Sequence, residues 1–125
     1  MKFNLSDVPL DIGFENSFVE RLDIAPYTIT MFIDFHLHKI HPLYQPVKPD
    51  EWGCFRYGTL KVFDFKNLSW EATGSNPATD ADGSKSWNFD YFTKIENIWT
   101  LGGDWGEIKV SGDKTRVSIE WSEDI

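Results

Sequence analysis

Apolar and polar residues alternate along much of this chain, and the clearest run is "YTITMFIDFHLH", residues 27–38. Tyr27, Ile29, Met31, Ile33, Phe35 and Leu37 fall on one parity; Thr28, Thr30, Phe32, Asp34, His36 and His38 fall on the other, which is polar except for Phe32. Successive side chains of a strand point to opposite faces, so the run predicts a long antiparallel strand with one face in the core. Ahead of it, "SFVERLDI" places Phe18, Glu20, Leu22 and Ile24 on one side. Pro26 in "APY" pre-sets a turn angle, so residues 17–38 read as a hairpin.

Residues 41–53 contain three prolines and read as a partly extended loop, because proline cannot donate to a ladder. "FRYGTLKVFDF" puts Leu60 and Val62 on one side and Phe55, Tyr57, Phe63 and Phe65 on the other. This strand is either covered on both faces or bulged at Gly58. "LSWEAT" predicts a further short strand. Residues 74–86, "GSNPATDADGSKS", have no apolar periodicity and read as a flexible surface loop. "WNFDYFTKIENIWTL" carries Tyr91, Ile95, Trp99 and Leu101 on one parity, and its Trp, Thr and Ile content favours strand over helix. "WGEIKVS" and "TRVSIEW" close the chain around the glycine turns "GGD" and "SGDK". In the last strand Thr115, Val117, Ile119 and Trp121 face one way, and its edge is a possible dimer contact. The expected architecture is a single all-β domain over residues 1–125, mainly antiparallel hairpins forming a small sandwich or partly closed barrel, with residues 1–15 as an irregular N-terminal arm.

Twenty aromatics, six of them Trp, argue for a packed core rather than disorder. The same residues would also line a ligand cavity or a protein-binding patch. The one cysteine, Cys54, rules out an intrachain disulfide and a cysteine-based zinc site, and its apolar neighbours make it a small core residue. No secretory signal and no membrane-length apolar run is present, so a cytoplasmic location is expected.

The net charge is −8; residues 1–62 carry eight acids and six bases, net −2, and residues 63–125 carry twelve acids and six bases, net −6. No basic footprint for nucleic acid exists. An acidic C-terminal half is instead suited to a basic protein partner.

Chemistry-bearing residues concentrate in "DFHLHKIHP", residues 34–42, which holds all three histidines. Side chains at i and i+2 of a strand share a face about 7 Å apart, and two imidazoles there can lean onto one ion. Asp34, His36 and His38 are therefore the candidate metal ligands, with His41 three residues further on. Against this, the row is also an ordinary filling for a half-exposed face, and no distant histidine completes the set. The filling is the simpler reading, so no cofactor is expected. "DADG", residues 80–83, resembles part of a calcium loop, but Ala78 and Phe89 would occupy the first and last ligand positions and cannot ligate. No nucleophile elbow, phosphate loop or dinucleotide fingerprint occurs.

Two segments resemble a known group. "NSFVERLDIAPYTITMFIDF", residues 16–35, is similar to the opening hairpin of small uncharacterised bacterial proteins, some grouped with the immunity proteins of polymorphic toxin systems. "WGEIKVSGDKTRVSIEW", residues 105–121, resembles their closing hairpin. The proline-rich loop and the histidine row are not features of that group. The resemblance implies an all-β cytoplasmic protein without enzymatic machinery that acts by binding a partner, and it carries over no functional residue. The expected function is thus a non-enzymatic, immunity-like binding protein. A small-molecule or lipid carrier with an aromatic-lined cavity, and a metal-dependent enzyme using the Asp34, His36 and His38 face, are the alternatives.

Overall fold

The computed structural model describes residues 2–74, 78–79 and 85–122. Among them the elements in chain order are β1 (Lys2–Leu5), β2 (Ile12–Ala25), β3 (Thr28–Leu37), β4 (Cys54–Phe63), β5 (Asn67–Ala72), β6 (Ala78–Thr79), β7 (Lys85–Ile95), β8 (Ile98–Gly103), β9 (Gly106–Ser111) and β10 (Arg116–Trp121). The domain is all-β, as the alternation predicts. Among the described residues no helix is long and apolar enough to cross a membrane.

The strands form one antiparallel sheet in the order β1-β10-β4-β3-β2-β7-β8-β9-β5, with β6 pairing β7 off this path. It is open, not closed into a barrel. Its two halves meet at a narrow joint, where β2 and β7 share only the pairs Phe18↔Asn88 and Val19↔Trp87. Both halves feed one core. β3 and β4 supply Ile29, Met31, Ile33, Phe35, Leu60 and Val62, while β7, β8 and β9 supply Phe89, Leu101, Ile108 and Val110. Burial of each such side chain stabilises the fold by about 1.5–3 kcal/mol.

Phe14 links the halves. Its ring meets Phe35 of β3 edge-on at 6.0 Å and lies 5.2 and 5.1 Å from Phe89 and Phe92 of β7. A bulge makes this reach possible. Gly13 pairs with His36 and Phe18 with Asp34, so four residues of β2 lie opposite Phe35 alone. The buried Ser17 hydroxyl holds the bulge together: it donates to the Gly13 carbonyl at 2.8 Å and accepts from the His36 N–H at 3.0 Å.

Several sequence expectations are corrected by this arrangement. Residues 1–15 are not an irregular arm where described: residues 2–5 pair with β10, and Ile12 and Phe14 are core. Tyr27 is exposed in the turn rather than buried with Ile29. The bulges of β2 put Val19, not Phe18, into the core. Residues 87–101 are a hairpin, not one strand, because Glu96 turns the chain at φ 56°. β4 pairs with β3 without a bulge at Gly58, and its second face is half-exposed. β10 is covered on both sides by β1 and β4, so it offers no edge for a dimer. The expected loop 74–86 contains β6 and the start of β7, but most of it, with "DADG", lies outside the described residues.

Candidate functional site

β3 runs between β2 and β4, and its outward side chains meet theirs in register. Asp34 lies between Phe18 of β2 and Tyr57 of β4, and His36 lies between Gly13 and Phe55. Four rings on this outer face, those of Phe18, Phe55, Trp52 and His36, are in contact. The His36 imidazole lies on the Trp52 indole at 5.4 Å with an interplanar angle of 21°. Phe55 stands edge-on to Trp52 at 4.9 Å and lies 5.9 Å from Phe18. Trp52 remains 65% exposed and Tyr57 49%.

Two glycines permit the stack. A Cβ on Gly13 would stand 2.6 Å from His36 Nδ1, and one on Gly53 would stand 2.8 Å from His36 Cδ2 and Nε2. Only residues without side chains let the backbone approach the ring from both sides. Nδ1 is buried with no hydrogen-bond partner among the described residues. Burial, and then the neighbouring His38, lower the His36 pKa below its ordinary value.

Asp34 has the opposite problem. Burial raises its pKa to about 6, and the carboxylates of Glu20 and Glu51 push in the same direction. The centre of the face is therefore a half-buried acid beside two more acids, flanked by aromatic rings. Phe32, the apolar exception on this face, lies under the Arg21 guanidinium at 5.8 Å. Arg21 is in turn paired with Asp23 at 3.0 Å.

Two of the three candidate metal ligands touch each other. His36 and His38 pack ring against ring, edge-on at 5.6 Å. Among the described residues no three of His, Cys, Asp and Glu come together in a way that would hold a metal ion. His41 leaves the face altogether. It is buried, stands edge-on to Trp121 at 5.1 Å, and accepts the Leu43 N–H at Nδ1. Burial lowers its pKa. Cys54 is half-buried at the margin of the core rather than within it, and its sulfur accepts the Gln45 N–H at 3.4 Å.

Sequence reasoning missed the role of Trp52, Phe55 and Phe18 as partners of the histidine row. A legible signal was present: "WGCF" places a glycine between two aromatics directly before a strand. The larger core rings are used up in mutual contact, with Phe89 against Trp105 at 5.2 Å, Phe92 on Trp99 at 5.4 Å and Phe35 against Trp121 at 5.0 Å.

A second acidic group lies on the other half. Tyr91 of β7 crosses over Gly102 of β8 and donates its hydroxyl to Glu107 of β9. That hydrogen bond, with burial and the nearby Glu107, Asp90 and Glu71, pushes its pKa up to about 12.

No family model, no curated protein and no solved structure matches this chain.

Proposed function

We propose that this chain is a non-enzymatic binding domain for a basic partner protein, in the manner of an immunity protein, and that the outer face of β2, β3 and β4 makes the contact. One observation carries the reading: Phe18 and Tyr57 flank Asp34 on a part-exposed face that continues through Phe55 and Trp52 at His36, with Glu20 and Glu51 close enough to act on Asp34. Exposed Trp and Tyr are the residue types that anchor protein interfaces. A Lys or Arg brought against them gains cation–π contact with the rings and relieves the repulsion among the three carboxylates. The acidic second half of the chain favours the same class of partner over a longer range.

The carrier alternative gains less support, because the core aromatics named above contact one another. The metal-enzyme alternative has no ligand set among the described residues. The test is an affinity measurement against the basic proteins encoded beside this gene. Binding should weaken as salt rises, fall sharply in Trp52→Ala and in Asp34→Asn, and survive Trp70→Ser on the opposite half. Binding that ignores Trp52 and Asp34 would place the contact elsewhere.

A further inference from the structure

The two ends of the open sheet are not guarded equally. An edge strand exposes unpaired backbone groups, and proteins ordinarily block such edges with charge, proline, bulges or short length. β1 has four residues and carries Lys2. The free part of β2 carries Glu20, Arg21 and Asp23. β5, "NLSWEA", has six residues, all exposed, an unbroken register with β9, and one charge at its far end.

The register also determines which way β5 faces. Leu68 and Trp70 pair with Val110 and Ile108, two core residues of β9, so they lie on the core side of the sheet. They nevertheless stay 38% and 46% exposed, because the core stops short of the last strand. Just beyond β5, the Thr73 N–H bonds the carbonyl of Trp105, the residue opposite it in the continued β5–β9 register, at 3.3 Å. In an antiparallel ladder, residues turned toward a given neighbour alternate. Asn67, Ser69 and Glu71 therefore turn their amides to β9, and Leu68 and Trp70 turn theirs to the open side.

We infer that β5 is a self-association edge, through which two copies of this chain pair antiparallel about a twofold axis at Ser69. In that register Leu68 and Trp70 of one copy lie opposite Trp70 and Leu68 of the other, on the same face, and their outward amides and carbonyls bond each other. Ser69 meets its own copy. Glu71, the only charge in the strand, falls opposite Asn67 of the second copy, next to Lys66, so no like charges face each other. Shifting the axis to Trp70 would set Trp70 against its own copy and leave each Leu68 opposite the small Ala72. The strand is thus complementary to itself in hydrogen bonding, shape and charge. This inference is independent of the partner face on β2, β3 and β4.

The test is sedimentation velocity of the full chain over a range of concentrations. The wild type should form a dimer, more tightly as salt rises, because salt screens the repulsion between two chains of net charge −8. Binding of a basic partner has the opposite salt dependence, so the two readings fail separately. Leu68→Pro removes an outward amide without touching the ladder to β9, and it should be monomeric with an unchanged near-ultraviolet spectrum. Trp70→Lys, at an exposed position, should weaken the dimer about tenfold or more and covers the case in which the proline variant does not fold. In a Cys54→Ala background, Ser69→Cys should be captured as a disulfide dimer on oxidation, whereas Trp70→Cys should not. A wild type that is monomeric at every concentration, or a dimer untouched by either edge variant, overturns the proposal. Faster capture through Trp70→Cys overturns the register.

Discussion

The imidazole of His36 lies nearly parallel to the indole of Trp52, 5.4 Å away, on the exposed face of the sheet. Protonation of an imidazole in contact with an indole quenches its fluorescence. Trp52 emission should therefore fall as pH decreases, with a midpoint below 6.5, because burial lowers the His36 pKa. The difference between wild type and Trp52→Phe isolates this signal from the other tryptophans. A midpoint at or above 6.5 would mean that the ring is not held as described.

Asp34 makes stability depend on pH in an unusual direction. Its folded pKa, about 6, is above the ordinary value of 3.8. Between those two values the folded state holds the proton more tightly than the unfolded chain, so this group's contribution to stability declines as pH rises and is lost above about 6. Asp34→Asn should remove the loss. At neutral pH the gain should be about 1 kcal/mol, since solvent screens a half-buried carboxylate. Denaturant titrations of both proteins at pH 4 and pH 7 measure it: the variant should gain at pH 7 and little at pH 4. Equal effects at both values would remove ionisation as the cause.

Ser17 is one hydroxyl serving two backbone groups across the β2 bulge. Ser17→Ala leaves the His36 N–H and the Gly13 carbonyl without it. Loss of a buried partner costs about 1–3 kcal/mol. Because the bulge also delivers Phe14 to the core, amide exchange should accelerate in β2 and at His36 more than in β8 or β9. Uniform acceleration would show that Ser17 matters only to global stability.

Gly106 begins β9 at φ 119°, and a Cβ there would stand 2.0 Å from the Glu71 carbonyl oxygen. Neither the angle nor the contact can relax without moving β5. Gly106→Ala should cost about 2–4 kcal/mol and loosen the β5–β9 pairing first. If β5 carries self-association, the same substitution should weaken the dimer. An alanine variant with wild-type stability would contradict the backbone geometry at this turn.

Local pattern determined much of this molecule. Period-two alternation fixes β3, β4 and β10 and their core residues, because one buried face selects one parity and a slip of one residue would expose all of it. Charge and cysteine count likewise follow from the sequence alone. Alternation failed where the chain leaves the regular pleat. The bulges of β2 reverse parity partway along the strand, so Phe14 and Val19 are core while Phe18 joins the outer aromatic stack. The edge positions of β1 and β5 are equally invisible locally, since they depend on which strands lie side by side. The candidate site was half legible. Asp34 and His36 sharing an outer face follows from parity, but their neighbours Trp52 and Phe55 come from a loop and another strand. Tertiary structure alone decides that the histidine is held between two glycines and a tryptophan, and that the aspartate is surrounded by other acids. Those long-range contacts turn a polar row into an acidic aromatic surface.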